Sequence, residues 1–358
     1  MSTRPRSRRD LFALGAAAVG VWSAAACSPS GPKGAATPSP RGTTTGTTSS
    51  ASPSEPLRAP LTGVAVTDAA ALAHPAVGIK ISDVPQAHPQ TGVDRADIVF
   101  VEPIGVAYTR LGAVFHSDIP DLVGPVRSVR VADAALMGPL GGVLGDAMGA
   151  PGVLDYVHGV ADLEDLGTLR VTGSGAYIVD GRRPSPDDVF AKPSVLLHLA
   201  TRTAPPRPYF LHSDDASSSS TSKGGPALGV EVGYGPGFVV RWDYDAASGR
   251  YLRREPWGPH VATDGRQVSA VNVLVLEVEP YVQQVPGGGT PALRLVGAGG
   301  GLTALGGGRA VTGTWRKEGV NDPFQLETTP GFPLRLAPGN TWVELPAPGA
   351  TTRLQGGG

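Results

Sequence analysis

Apolar positions along the chain fall into short β-branched runs in its first half and longer, Gly-punctuated runs in its second. The runs at 64–67, 77–81, 98–102 and 111–116 predict strands. The stretches 131–140, 152–158 and 187–201 predict helices. Beyond residue 226 the segments VEVGYGPGFVVRWDYDAASGRYLRR, AVNVLVLEVEPYVQQV, ALRLVGAGGGLTALGGGRAVTGTWRK and TWVEL all read as strands. Ser248-Gly249 and Asp264-Gly265 have hairpin-turn composition, and no helix is predicted in this half. The expected fold class is therefore α+β: an N-terminal mixed α/β domain over 60–212, a Ser-rich connector over 213–225, and a mostly antiparallel β domain over 226–348. Trp242, Trp257, Trp315 and Trp342 suit core packing, with a sugar-stacking platform as the alternative.

The chain's beginning follows other rules. Arg4, Arg6, Arg8 and Arg9 precede an apolar stretch from Leu11 to Ala26, the layout of a secretory signal rather than a spanning helix. Ser7-Arg8-Arg9-Asp10-Leu11-Phe12 resembles a twin-arginine export motif, with Arg8 and Arg9 as its pair. Ala24-Ala25-Ala26-Cys27 resembles a lipobox, in which the Cys27 thiol takes a diacylglyceryl group and becomes the new N-terminus; two acyl chains suffice for stable anchoring. An ordinary cleaved signal with an incidental cysteine is the alternative. Residues 28–59 are rich in Ser, Thr, Pro and Gly without apolar periodicity, as in a disordered tether with a reach of roughly 30 Å. The expected location is the extracytoplasmic face of the cell membrane.

Composition narrows the partners. Thirty basic residues against 31 acidic ones leave a formal net charge of -1, so no global field favours nucleic acid. Cys27 is the one cysteine, which excludes an intramolecular disulfide. Gly297-Ala298-Gly299-Gly300-Gly301-Leu302 lacks the final glycine of a dinucleotide fingerprint and a following helix. No cofactor or metal is expected.

The segment HPQTGVDRADIVFVEPIGVAYTRLGAVFHSDIPDLVGPVRSVR (88–130) resembles the N-terminal domain of the YerB-like bacterial lipoproteins. TDGRQVSAVNVLVLEV, GGGRAVTGTWRKEGVNDPF and LAPGNTWVEL resemble their C-terminal domain. The resemblance implies an exported two-domain lipoprotein and supplies no reaction. The resemblance implies Pro-His-Asn where this chain has Pro186-Asp187-Asp188; if that histidine has a catalytic task in relatives, it is lost here. GAPG stands where the pattern has Gly-Gly-Ser.

GPVRSVR, 124–130, is the leading candidate site. Ser128 is placed to cap a helix over 129–140, with Arg127 and Arg130 around the helix start, where backbone N–H groups favour an anion. Arginine's planar fork matches phosphate or carboxylate in two hydrogen bonds. Arg110 and Glu102 complete the set, with Glu102 expected to pair with Arg110 or Arg127 as a structural brace, the competing reading. Alternation along the strand sets Asp97 and Glu102 on opposite faces, against an acid–base pair. His116-Ser117-Asp118 and His212-Ser213-Asp214 are read as turns, since adjacent residues cannot converge as a triad. Asp180, Asp187 and Asp188 suit either a cation loop or, more simply, the acidic first turn of the helix at 187–201. Two functions fit: a tethered binding or scaffold protein engaging an anionic wall polymer or envelope partner, and a wall-polymer hydrolase or transferase with an Arg/Glu cleft.

The anchor has a direct check. Cys27→Ser is expected to move the protein from the membrane fraction to the soluble exported fraction; retention in the membrane fraction would refute the anchor.

Overall fold

The computed structural model describes residues 56–105 and 108–356; Arg8, Arg9, Cys27 and most of the expected tether lie outside them. The first half supplies β1 (Val77–Asp83), β2 (Ile98–Ile104), β3 (Tyr108–Phe115), α1 (Val131–Met137), β4 (Val143–Gly145), α2 (Pro151–Val160), β5 (Glu164–Asp165) and α3 (Pro193–Leu199). The second half is strands joined by turns, several at positive-φ glycines, including Gly249 and Gly265 of the two hairpin signals. The α+β class is observed.

One twelve-stranded sheet runs through both halves, in the order Phe332–Pro333, Gln325–Thr328, Arg309–Lys317, Ala298–Gly306, Asn272–Leu276, Thr341–Glu344, β2, β3, β1, β4, β5, with Gly225–Pro226 added beside Arg309–Lys317. Thr341–Glu344 joins the halves, pairing parallel with Asn272–Leu276 on one side and with β2 on the other. All four of its residues are buried, and its one charged side chain, Glu344, accepts from Trp242 and Tyr234. A second sheet, built around Gly229–Gly235, Phe238–Asp245 and Arg250–Glu255, covers one face of the first.

Alternation along β2 sends its side chains to two cores. Ile98 and Phe100 pack with α1, α2 and Tyr209, whereas Val99 and Val101 share a core with Trp242 and Tyr251 from the second sheet and with Trp342 of their own sheet. Each buried aromatic of this kind contributes roughly 2–3 kcal/mol. Gly78 lets α1 lie close: a Cβ there would stand 2.6 Å from the Met137 sulfur. Trp242, Trp315 and Trp342 are core residues, and only Trp257 among the four is exposed, at 40%.

Three local expectations change. The run at 64–67 is no strand; Ala65 makes a single bridge with Arg58. The helix expected over 187–201 starts at Pro193, because Val189–Ala191 is drawn into a ribbon with Tyr177–Val179. Asp187 and Asp188 therefore begin no helix. The helix at 131–140 is α1 followed by a tighter turn, and its cap is not Ser128: the Arg130 N–H donates to Asp133 Oδ2 at 2.6 Å.

A chain truncated after residue 339 lacks the strand shared by both halves. Circular dichroism is expected to show no cooperative melt; a transition within a few degrees of the intact chain's would refute this.

Candidate functional site

The backbone of 124–130 is threaded between elements rather than looped out. Ser82 N–H donates to the Pro125 carbonyl at 2.9 Å, Arg127 N–H to the Lys80 carbonyl at 2.9 Å, and Val129 N–H to the Met148 carbonyl at 2.9 Å. With its backbone held, the segment fixes where Arg127 and Arg130 start. Arg127 reaches Asp187 at 3.3 Å, so this aspartate braces the arginine. Arg110 is 5% exposed, and its Nη1 donates to the Ser128 carbonyl at 3.0 Å. Among the described residues the Arg130 side chain makes no hydrogen bond or ion pair.

Glu102 does not pair with Arg110 or Arg127 as expected. It is bound by Lys80, which also reaches Asp133 at 2.7 Å. The correction follows from register: Glu102 lies opposite Arg110 and Lys80 opposite Gly112 on the same sheet face, and α1 lowers Asp133 onto that face. Lys80, with no exposed surface, was missed from sequence. Its signal was a lone lysine inside an apolar strand, VGIKISD, where a buried ammonium requires carboxylate partners. Burial and the neighbouring Asp133 push the Glu102 carboxyl up to about 7, against the pull of Lys80.

Glu102 and Arg130 face a cavity of about 380 Å³ between the two halves of the chain. Its other walls include Ile104, Val278, Tyr281 and Leu293, the last two from the hairpin Pro280–Val285/Gly288–Leu293. Lys80, Arg110 and Arg130 bring three cations to a region holding two carboxylates, Glu102 and Asp133, while Arg127 has its own partner. Burial, then the like charges of Arg130 and Arg127, lower Arg110 to about 10. The cluster is short of negative charge, the chemistry of an anion site with an apolar antechamber.

On the opposite sheet face lies a second buried network. Arg253 bonds Asp83 at 3.2 Å and also Glu255, while Glu344 accepts from Trp242 Nε1 at 2.9 Å and Tyr234 Oη at 2.5 Å. Asp83, His88 and His260 bring ligand atoms within 4.8 Å of one another, metal-like spacing. The donor set does not fit a metal. His260 Nδ1 accepts from Arg253 at 2.8 Å, which leaves Nε2 carrying the proton toward Gln90 Oε1. Arg253 is already the cation here. Burial and Arg253 hold His260 neutral, far below the usual imidazole range.

The remaining candidates separate. His116 Nε2 contacts the Leu72 and His74 carbonyls at 3.2 and 3.1 Å, and Asp118 pairs with Arg95. Asp214 pairs with Arg58 at 3.2 Å. Asp97 accepts from the His116 and Ser117 N–H groups at 2.7 and 2.8 Å, a structural cap. Asp180 is taken by Arg182 at 2.8 Å.

Two family models match in order: "Protein of unknown function (DUF3048) N-terminal domain" over residues 61–205, and its C-terminal counterpart over 230–343. The chain belongs to the YerB-like family. A Bacillus subtilis relative described as "Putative lipoprotein YerB" is 26% identical over 301 residues, covering 81% of this chain and 86% of that one. The crystal structure of YerB protein from Bacillus subtilis superposes with a TM-score of 0.72 at 22% identity, covering 83% of this chain and 99% of that one. The fold is thus shared, and the two halves described above are the family's two domains in sequence.

Glu102 sets a pH dependence. The folded chain keeps the Glu102 proton up to about 7, whereas the unfolded chain releases it near 4.5, so this group's contribution falls as pH rises between those values. Glu102→Gln is expected to flatten the melting temperature over pH 4.5–7 relative to the parent; parallel curves would refute the assignment. Lys80→Met strands two carboxylates and is expected to cost about 3–5 kcal/mol at pH 8 by denaturant unfolding, and less at pH 5.

Proposed function

We propose that this protein is a lipid-anchored envelope protein whose body binds an anionic ligand at Arg130, with Arg110 beside it. One observation carries the ligand: a half-buried arginine, Arg130, faces a cavity without a partner among the described residues, inside a cluster with more cations than carboxylates. A braced arginine needs no ligand, and Arg127, tied to Asp187, fits that description; Arg130 does not. The export motif at Arg8 and Arg9, the lipobox at Cys27 and the lipoprotein name of the Bacillus subtilis relative support the anchor. An anchored body meets wall polymers and envelope proteins first, and phosphate or carboxylate groups of either suit a guanidinium pair.

Glu102 supports a second reading, a wall-polymer hydrolase or transferase. A carboxyl at about 7 on a cavity wall is poised to give or take a proton near neutrality.

Arg130→Gln is expected to weaken binding to isolated wall fragments more than tenfold, with the melting temperature nearly unchanged, whereas Arg127→Gln lowers the melting temperature by stranding Asp187. Unaltered binding with a large loss of stability in Arg130→Gln would establish the brace instead. On the second reading, Glu102→Gln stops turnover of wall polymer while binding persists.

A further inference from the structure

A second cavity, of about 490 Å³, lies beside α2 and carries charge of the opposite sign. β4 and β5 run parallel on either side of the α2 crossover, with Leu144 opposite Asp165. The ladder continues past them: Leu166 N–H donates to the Leu144 carbonyl and Thr168 N–H to the Asp146 carbonyl, both at 2.9 Å. Asp146 thus lies beside Gly167 and on the same face as Asp165. The glycine makes the space, since a Cβ at 167 would stand 2.7–2.9 Å from the Asp146 carboxyl.

The two carboxyls are treated differently. Asp165 accepts from His158 Nε2 at 2.6 Å and Gly167 N–H at 2.8 Å, with Arg170 at 3.6 Å. Asp146 is 2% exposed, lines the cavity, and accepts no hydrogen bond from an N–H or hydroxyl donor among the described residues; its Oδ2 is buried, and the one group it shares a proton with is the Asp165 carboxyl beside it. Asp155 adds a third acidic side chain to the wall, against the one permanent cation, Arg170. The other wall is aliphatic: Leu154, with Met148 and Leu169 at 53% and 65% exposure.

We propose that this cavity is a site for an aliphatic primary ammonium group, such as a lysine side chain, which slides its methylenes along Met148, Leu154 and Leu169 and pairs with Asp146 and Asp165. The negative balance of the wall disfavours an anion or a neutral ligand. A bare metal ion fits poorly, because Asp165 already accepts from His158 and Gly167, and the aliphatic wall offers a hydrated ion nothing.

Proton linkage follows. Burial first, then the charge of Asp165 and its hydrogen bond to the protonated acid, then Asp133, push the Asp146 carboxyl up to about 8, with Arg170 opposing; Tyr177, His158 and Asp155 are the other titratable groups around it. An arriving ammonium supplies the missing counter-charge, so Asp146 ionises and its proton passes to solvent. Affinity accordingly rises with pH below 8, by up to about tenfold per unit.

The test uses the full-length chain in detergent, titrated with Nα-acetyl-lysine amide, its norleucine analogue and calcium chloride, while the pH of a weakly buffered solution is followed. The lysine amide is expected to bind, release up to one proton at pH 7 and tighten between pH 6 and 8, with no binding of the other two probes. Asp146→Asn, which keeps the shape of the protonated acid, is expected to weaken binding at least tenfold and abolish proton release. Leu169→Lys, at the exposed rim, tethers an ammonium beside the site and is expected to block the probe even if the first variant folds poorly. Equal binding of the norleucine analogue, competition by calcium, unchanged binding in Leu169→Lys, or no binding at ~10 mM lysine amide would overturn the proposal.

Discussion

The strand Thr341–Glu344 is the constraint on which the rest depends. Four residues near the C-terminus pair in parallel with β2 from the first half and Asn272–Leu276 from the second, and so make one sheet of two. Parallel pairing cannot be closed by a short turn, so this contact forms only when distant parts of the chain meet. Its alternating side chains serve both cores: Val343 packs on the helical side, while Trp342 and Glu344 face the second sheet. The 380 Å³ cavity, walled by β2 on one side and 278–293 on the other, exists because this strand aligns them.

Two buried ionic networks occupy opposite faces of that sheet, and they differ in charge balance and in access to a cavity. Around Arg253 the carboxylates outnumber the cation, the histidine is neutral, and every group lies inside the protein. Burial raises Glu255 and Glu344 above the usual carboxylate range, so protons make up part of the balance. Such a network specifies how the second sheet seats on the first more than it stabilises it. Around Lys80 the cations outnumber the carboxylates, and the surplus faces a cavity. A surplus at an opening is accessible to a ligand, whereas the Arg253 network is enclosed by the two sheets.

The carboxyl pair beside α2 repeats this logic with the sign reversed. Segment 127–130 hydrogen-bonds to 147–148, so the backbone that presents Arg130 to one cavity also borders the acidic one. The two cavities are thus neighbours whose walls carry opposite charge.

Much of the fold was legible in the chain. Strands β1 to β3, α1 and α2 follow from local periodicity, as do the Gly-rich turns of the second half, because 3.6- and 2-residue repeats and positive-φ glycines are properties of neighbouring residues. The helix expected at 187–201 failed at its start, where pairing of Val189–Ala191 with Tyr177–Val179 overrides propensity. Among the candidate residues, Arg127, Arg130, Arg110 and Glu102 do gather in one region, but Lys80, Asp133 and Asp146 could not be linked to it or to one another. The sequence by itself determined the elements, the class and the chemical types available. Which carboxylate meets which cation, and which is left without one, was decided by tertiary structure alone, since charge pairing depends on distances that only the assembled sheet and α1 fix.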